Sequence, residues 1–322
     1  MNPHPRRAPF PPLFALSIGL MAVSTAAIFI RYAQVYTPSL VIAAFRLTIA
    51  SVVLMPVAFT RRREELGQLS HLELVLALTS GFFLALHFAT WITSLEYTSV
   101  ASSVVLVTTS PLWVSLLSPV ILKEPLTRPI FLGMVMALLG STVIGLSDSC
   151  AWSGIKLLCP LFNEFIKGRA FLGDLLALVG AWMATGYLII GRHLRAKMSL
   201  ISYVSVVYGM AAVILIVIMF MAGQVPWGYP PIAYFWFLLL ALVPQLLGHS
   251  TFNWALGYLS AAYVSITLLA EPIGSTILAY FFLNETPTAF KIFGAILILS
   301  GIYVATQGES RRKSREIAEI SG

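Results

Sequence analysis

The sequence predicts an all-α integral membrane protein with ten transmembrane helices in two inverted five-helix repeats. Three observations carry that prediction. Hydrophobic residues make up 58% of the chain and charged residues 10%, against about 25% charged in a soluble domain, and the mean hydropathy is +0.88. A shift of 161 residues lays Tyr97–Gly145 over Tyr258–Thr306 without a gap. It matches Ser99 to Ser260, Pro111 to Pro272, Glu124 to Glu285, Thr127 to Thr288, Gly133 to Gly294 and Gly140 to Gly301. Five spans per unit is an odd number, so the second unit enters from the opposite face. A pseudo-two-fold axis in the membrane plane then relates the halves, an arrangement suited to alternating access.

The spans follow in order near 12–32, 38–59, 72–94, 98–121, 129–147, 172–192, 199–222, 232–252, 259–283 and 287–307. Each is about 20 residues long, enough for a hydrocarbon core of roughly 30 Å. The first follows Met1–Pro12, which has two arginines and five prolines, and the span it runs into offers no convincing small-residue cleavage site, so no secretory signal is expected. The organisation is a first repeat at 1–148, an insertion at 149–171, a second repeat at 172–309 and a basic tail at 310–322.

Basic residues set the orientation. With the N-terminus inside, 14 Lys and Arg residues face the cytoplasm and five face out, leaving Arg46 within a span. The bias comes from Arg61, Arg62 and Arg63, the 192–197 cluster and the tail. The expectation is a multi-pass protein of the cytoplasmic (inner) membrane with both termini cytoplasmic. The net charge of +7 is then a topology signal, with no basic groove for nucleic acid.

The insertion holds both cysteines, Cys150 and Cys159. On the outer side the pair either forms a disulfide or stays as two thiols. Trp152, Ile155, Leu157, Leu158, Leu161, Phe162 and Phe165, with Lys156, Glu164, Lys167 and Arg169 between them, predict a short helix lying either on the membrane surface or over the outer mouth.

An ordered set of short motifs occurs twice. The first half has Arg31-Tyr32-Ala33, Thr37-Pro38, Ala44-Phe45-Arg46, Leu95-Glu96-Tyr97-Thr98-Ser99-Val100-Ala101, Ser110-Pro111-Leu112 and Lys123-Glu124-Pro125-Leu126-Thr127. The second has Leu259-Ser260-Ala261-Ala262, Glu271-Pro272-Ile273 and Asn284-Glu285-Thr286-Pro287-Thr288. Over nearly its whole length the chain resembles the EamA-like ten-helix transporters of the drug/metabolite transporter superfamily. The resemblance implies a transporter of small organic solutes, often an exporter of amino acids or other metabolites, and implies no single substrate. The 149–171 insertion departs from the compact family pattern.

Ionisable groups inside a bilayer cost roughly 2.5–3.5 kcal/mol each on insertion scales, so Arg46, His87, His249 and Glu271 stand out. Glu96 and Asp174 lie closer to span ends. Tyr263, Thr267, Glu271 and Ser275 recur at four-residue spacing, one polar face of a helix. Pro272 withdraws a backbone donor beside it. Glu271 is open to two readings, a group that binds a substrate amine or carries a proton, and a structural carboxyl. Gln245, His249 and Asn253 form a second stripe, and His87 with Trp91 a third. The histidines either pass protons or bind a carboxylate, or bond neighbouring helices. Arg46 either bridges helices, neutralises Glu271 or anchors a substrate carboxylate. Ser103 and Ser110 give span 4 a small polar face that allows close packing or leaves room for a cavity. Trp182 and Tyr187 either wall a flat substrate or pack.

No G-x-x-x-x-G-K-[ST] loop is present, which argues against ATP hydrolysis by this chain. No nucleophile–base pair or metal-ligand spacing is seen, so no catalytic residue, metal or cofactor is expected. The leading reading is a secondary transporter of small organic metabolites, amino acids or related compounds, with export favoured and proton coupling open. A multidrug or nucleoside/sugar transporter of the same fold is the alternative, and a membrane enzyme or lipid-handling protein a further one. The glycine faces at Gly133/Gly140 and Gly294/Gly301 suit either the contact between halves or a homodimer.

Overall fold

The computed structural model describes residues 8–98, 100–149, 151–153, 156–158, 169–283 and 289–321. Cys150 and Cys159, with the question of their pairing, lie outside the described residues, as does Glu285. The helices are α1 (Pro12–Ser24), α2 (Ala26–Gln34), α3 (Ser39–Arg61), α4 (Arg63–Gly67), α5 (His71–Tyr97), α6 (Val100–Val107), α7 (Ser110–Ile121) and α8 (Arg128–Ser149) in the first half. The second half has α9 (Arg169–Arg195), α10 (Leu200–Met221), α11 (Pro231–Leu240), a π-helical segment (Ala241–His249), α12 (Ser250–Ala255), α13 (Ala261–Leu268), α14 (Glu271–Leu283) and α15 (Ala289–Ser321).

Among the described residues, seven helices are long and apolar enough to cross a membrane: Pro12–Gln34, Ser39–Arg61, His71–Tyr97, Phe171–Arg195, Leu200–Met221, Pro231–Ala255 and Ile292–Ser310. Three shorter apolar helices, Ser110–Ile121, Arg128–Val143 and Ala261–Gly274, occupy the places of the fourth, fifth and ninth predicted spans. The expected surface helix in the insertion is not what forms at its start. Ala151–Ser153 (β1) and Lys156–Leu158 (β2) pair antiparallel, with Trp152 opposite Leu157. Ile155, Leu161, Phe162, Glu164, Phe165 and Lys167 of that expected helix lie outside the described residues.

The predicted repeat reappears as packing, and it runs further upstream than Tyr97. Gly19 of α1 lies against Thr251 and the Gly248 carbonyl, while Gly180 of α9 lies against Thr90 and the His87 carbonyl. Every partner in the second contact is offset by 161 from its counterpart in the first. The same offset relates two hydroxyl contacts. Ser24 Oγ donates to the carbonyls of Leu20 and Glu271 at 2.9 and 3.3 Å. Thr185 Oγ1 donates to those of Ala181 and Ser110 at 2.8 and 3.5 Å.

Glycines show that the halves are inverted. A Cβ on Gly140 would lie 2.5 Å from the Gly294 carbonyl oxygen, and one on Gly301 would lie 2.5 Å from the Gly133 carbonyl oxygen. Gly133 therefore faces the repeat mate of Gly140, and Gly140 the mate of Gly133. Such crossed pairing arises only when α8 and α15 run antiparallel. These faces are spent on the contact between halves, where the missing Cβ atoms let the backbones touch.

Hydrogen bonds bring one set of connections together at what we term the basic end. Ser199 N–H donates to Glu65 Oε1 at 2.6 Å. Arg192 Nε meets Glu124 Oε1 at 2.5 Å, and Arg192 Nη1 donates to the Leu256 carbonyl at 2.8 Å. Glu124 Oε2 also accepts from Ala261 N–H at 3.2 Å. Arg195 is buried and bonds the carbonyls of Asn253 and Met198. At the opposite end, Glu96 Oε1 caps α3 by accepting from Ser39 N–H at 2.9 Å, and Asp174 accepts from Thr98 Oγ1 at 2.9 Å. Glu96 and Asp174 are thereby tied into the frame.

Candidate functional site

Two helix breaks create the site. Span 9 is not the continuous helix that its polar stripe suggested, because it stops at Leu268 and restarts at Glu271. Span 4 does the same between Val107 and Ser110. The turns are repeat mates: Thr109 N–H bonds Leu106 O and Leu112 N–H bonds Thr109 O, while Ala270 N–H bonds Thr267 O and Ile273 N–H bonds Ala270 O. Three-residue bonds tighten the chain at both places. Pro111 and Pro272 fall in the first turn of the new helices, where a missing N–H would be unpaired in any case. The expectation of a donor lost mid-helix at Pro272 is corrected on that ground.

Span 8 departs from regular winding too. Ala241–His249 is π-helical and contains Pro244. A proline inside a helix removes an i→i−4 bond, and π segments recur at functional sites. The wider winding takes Gln245 and His249 off a common line, although the sequence places them four apart.

Between these elements lies a cavity of about 60 Å³ lined by Val23, Ala26, His87, Trp91, Val107, Thr108, Ser110, Ala184, Tyr187, Leu188, His249, Phe252, Leu268 and Glu271. It sits on the pseudo-two-fold axis. Phe88 and His249 are repeat mates offset by 161, and their rings touch edge to face with centroids 5.2 Å apart. Residues that touch their own mates lie on the axis that exchanges them. Ser110 and Glu271, also mates, both line the cavity.

Six of the anticipated residues therefore reach the cavity: His87, Trp91, Ser110, Tyr187, His249 and Glu271. His87 Nδ1 is 2.9 Å from the Gly180 carbonyl. A carbonyl only accepts, so Nδ1 carries the proton and Nε2 is left as an acceptor. Its ring stacks on Trp91, with centroids 5.9 Å apart. The Trp91 indole Nε1 is buried and has no acceptor among the described residues. Glu271 has no side-chain hydrogen bond among the described residues and stands within electrostatic range of Arg46. It opens α14, where the helix dipole favours a negative charge.

Arg46, Gln245 and Asn253 stand behind the wall. Arg46 is 0% exposed. Its Nε donates to Gln245 Oε1 at 2.9 Å, and its guanidinium lies over the Phe88 ring at 4.1 Å. Among the described residues Nη1 and Nη2 have no acceptor, and neither does Gln245 Nε2. Asn253 Nδ2 donates to the Tyr187 hydroxyl, to Tyr208 Oη at 3.4 Å and to the His249 carbonyl at 2.9 Å. Tyr208 Oη in turn lies 3.2 Å from Ser250 Oγ. Tyr208, Thr108 and Phe252 were not anticipated. The cue for Phe252 was its register, since it is the repeat mate of Trp91.

The remaining candidates lie elsewhere. Trp182 is 43% exposed and stands edge to face with Trp113 on the outer surface. Ser103 Oγ is 2.6 Å from Ser94 Oγ. Tyr263 Oη is 2.9 Å from Thr306 Oγ1, and Thr267 Oγ1 donates to the Val264 carbonyl at 2.7 Å. The break at Leu269-Ala270 turns Tyr263 and Thr267 away from Glu271. The side chain of Ser275 lies outside the described residues.

The comparisons with known proteins agree with this architecture. An uncharacterized transporter of Archaeoglobus fulgidus is 23% identical over 269 residues, 82% of this chain and 86% of the relative. The uncharacterized transporter YoaV of Bacillus subtilis (strain 168) is 27% identical over 283 residues, 86% of this chain and 90% of the relative. A solved crystal structure superposes with a TM-score of 0.72 at 17% identity, covering 93% of this chain and 98% of that one, which speaks to fold alone. The EamA-like transporter family matches residues 11–146 and 171–307. That match takes in both repeats, and the chain belongs to the EamA-like transporter family.

Proposed function

We propose that the chain is a secondary transporter that moves small organic metabolites, amino acids or related compounds, out across the cytoplasmic membrane by alternating access. In this reading the basic end and both termini are cytoplasmic. The observation that carries it is the cavity on the axis between matched helix breaks, fastened at one end by Glu124 and Arg192. Transporters built from inverted repeats use such breaks for solute binding and rock one half against the other. Among the described residues Glu271 is the one carboxylate lining the cavity, and it is assigned to coupling with protons. The cavity volume favours a small solute over a drug-sized one, because ligand pockets for drugs run to about 300–1,000 Å³.

The test is uptake of a labelled amino acid panel into proteoliposomes, with and without a pH gradient, for wild type and Glu271→Gln. Gradient-driven flux that is lost in the variant supports coupling through Glu271. Equal flux in the two proteins removes Glu271 from the coupling site. Absence of flux for every amino acid, with flux for nucleosides or sugars, moves the substrate class.

A further inference from the structure

The cavity wall and the layer behind it hold several buried hydrogen-bond donors without an acceptor among the described residues, beside one buried acceptor without a donor, Asn253 Oδ1. Among the described residues Arg46 uses one N–H of five, leaving both Nη groups buried without an acceptor. Gln245 Nε2 beside it and Trp91 Nε1 in the cavity wall are buried and equally unmatched. A buried donor without an acceptor is costly, and a buried charge more so. Two helices, α7 and α14, also begin at the cavity with Ser110 and Glu271, and helix starts favour anions. The Phe88 ring covers one face of the guanidinium, which leaves the edge carrying Nη1 and Nη2, buried behind the cavity wall, as the part a ligand would have to reach. That planar fork matches the two oxygens of a carboxylate.

We propose that Arg46, with Gln245 and Trp91, binds the carboxylate of the transported solute, and that Glu271 is the counter-charge this carboxylate replaces. The site is asymmetric between the halves. The repeat mates of Arg46 and Glu271 are Val207 and Ser110, so one carboxylate position exists where the fold offers two. His87, His249, Tyr187 and Tyr208 also lie within electrostatic range of Arg46, and none of them supplies a second anion at neutral pH. The proposal deepens the transporter reading and rests on it for the word "transported" alone.

The probe is acetate, whose four heavy atoms suit a cavity of about 60 Å³. Its neutral isostere acetamide is the control. Purified protein in detergent is titrated with each at fixed pH and ionic strength, reading tryptophan emission and the thermal-unfolding midpoint. Wild type is expected to respond to acetate and not to acetamide. Arg46→Lys, which keeps the charge and loses the fork, is expected to weaken acetate binding at least 10-fold, and Arg46→Met to abolish it. Glu271→Gln is expected to tighten it at least 5-fold, and this gain is readable even if Arg46→Met fails to fold. Equal responses to acetate and acetamide overturn the proposal, as does unchanged binding in Arg46→Lys or weaker binding in Glu271→Gln. Acetate binding without flux in the proteoliposome panel would sink the transport reading and keep the anion site. Flux of uncharged solutes without an acetate response would do the reverse.

Discussion

At the scale of single residues, the polar groups around the cavity are held by short chains of bonds, and each chain makes a prediction. Asn253 links Tyr187 of α9, Tyr208 of α10 and its own preceding turn. Replacing it with Leu strands the buried Tyr187 hydroxyl, a loss of about 1–3 kcal/mol, seen as a lower melting temperature in detergent. Glu65 offers a pH readout outside the membrane. Burial works to raise its carboxyl, but the bonds from Ser199 and Ser202 and the nearby Arg62 charge together outweigh burial and hold it below the usual carboxylate range. A lowered folded-state pKa adds stability above the unfolded value, and the addition fades as pH falls through the folded one. Glu65→Gln should therefore melt below wild type at neutral pH and merge with it in acid; parallel curves throughout would refute the cap. Residue chemistry was the most legible layer of the sequence. Charged and histidine side chains inside apolar spans were conspicuous, and His87, His249 and Glu271 all reach the cavity. Trp182 misled because an indole is as content on the outer surface as in a wall. Tyr208 carried no signal, being one of three aromatics in span 7 with no charged or histidine neighbour to mark it.

At the scale of elements, sequence periodicity served well wherever winding stayed regular. Ser39–Arg61 and Leu200–Met221 fall within a few residues of their predicted limits. It failed where the backbone changes type. The stripe Tyr263, Thr267, Glu271 assumed one helix, and the stripe Gln245, His249, Asn253 assumed α winding. Both prolines were visible, but a proline is compatible with a kink, a break or a first turn, and only packing against other helices selects among them. The α8–α15 contact gives the sharpest element-level expectation. Gly140→Val places side-chain atoms where the Gly294 carbonyl already sits. Overpacking of this kind costs about 1–3 kcal/mol, occasionally more, and should lower the melting temperature or abolish monodisperse protein on gel filtration. Gly67→Ala, with nothing within 4 Å of its added Cβ, is the matched control and should be near neutral.

At the scale of the whole molecule, the two halves meet at the basic end through Glu124, Arg192, Leu256 and Ala261. Lys123 adopts φ 56° just before Glu124, a left-handed conformation uncommon outside glycine. If this cluster keeps the basic end shut, Arg192→Gln should open it. A cysteine introduced at Ala184 in the cavity wall should then react several-fold faster with an impermeant maleimide added from that end. An unchanged rate would make the cluster a brace and not a gate. The inverted arrangement itself was legible from an odd span count and a 161-residue offset; its extension to Gly19/Gly180 and Thr90/Thr251 was present in the sequence but hidden among common apolar residues. The crossed glycines of α8 and α15 also bear on biogenesis. About 140 residues separate Ser149 from Ala289, so at ~5–20 residues per second of synthesis α8 waits roughly 7–28 s for its partner. Through that interval its notched face must be tolerated by lipid or by the insertion machinery, and a ribosome stalled after α14 would leave a nascent chain whose first half has no mate to close against.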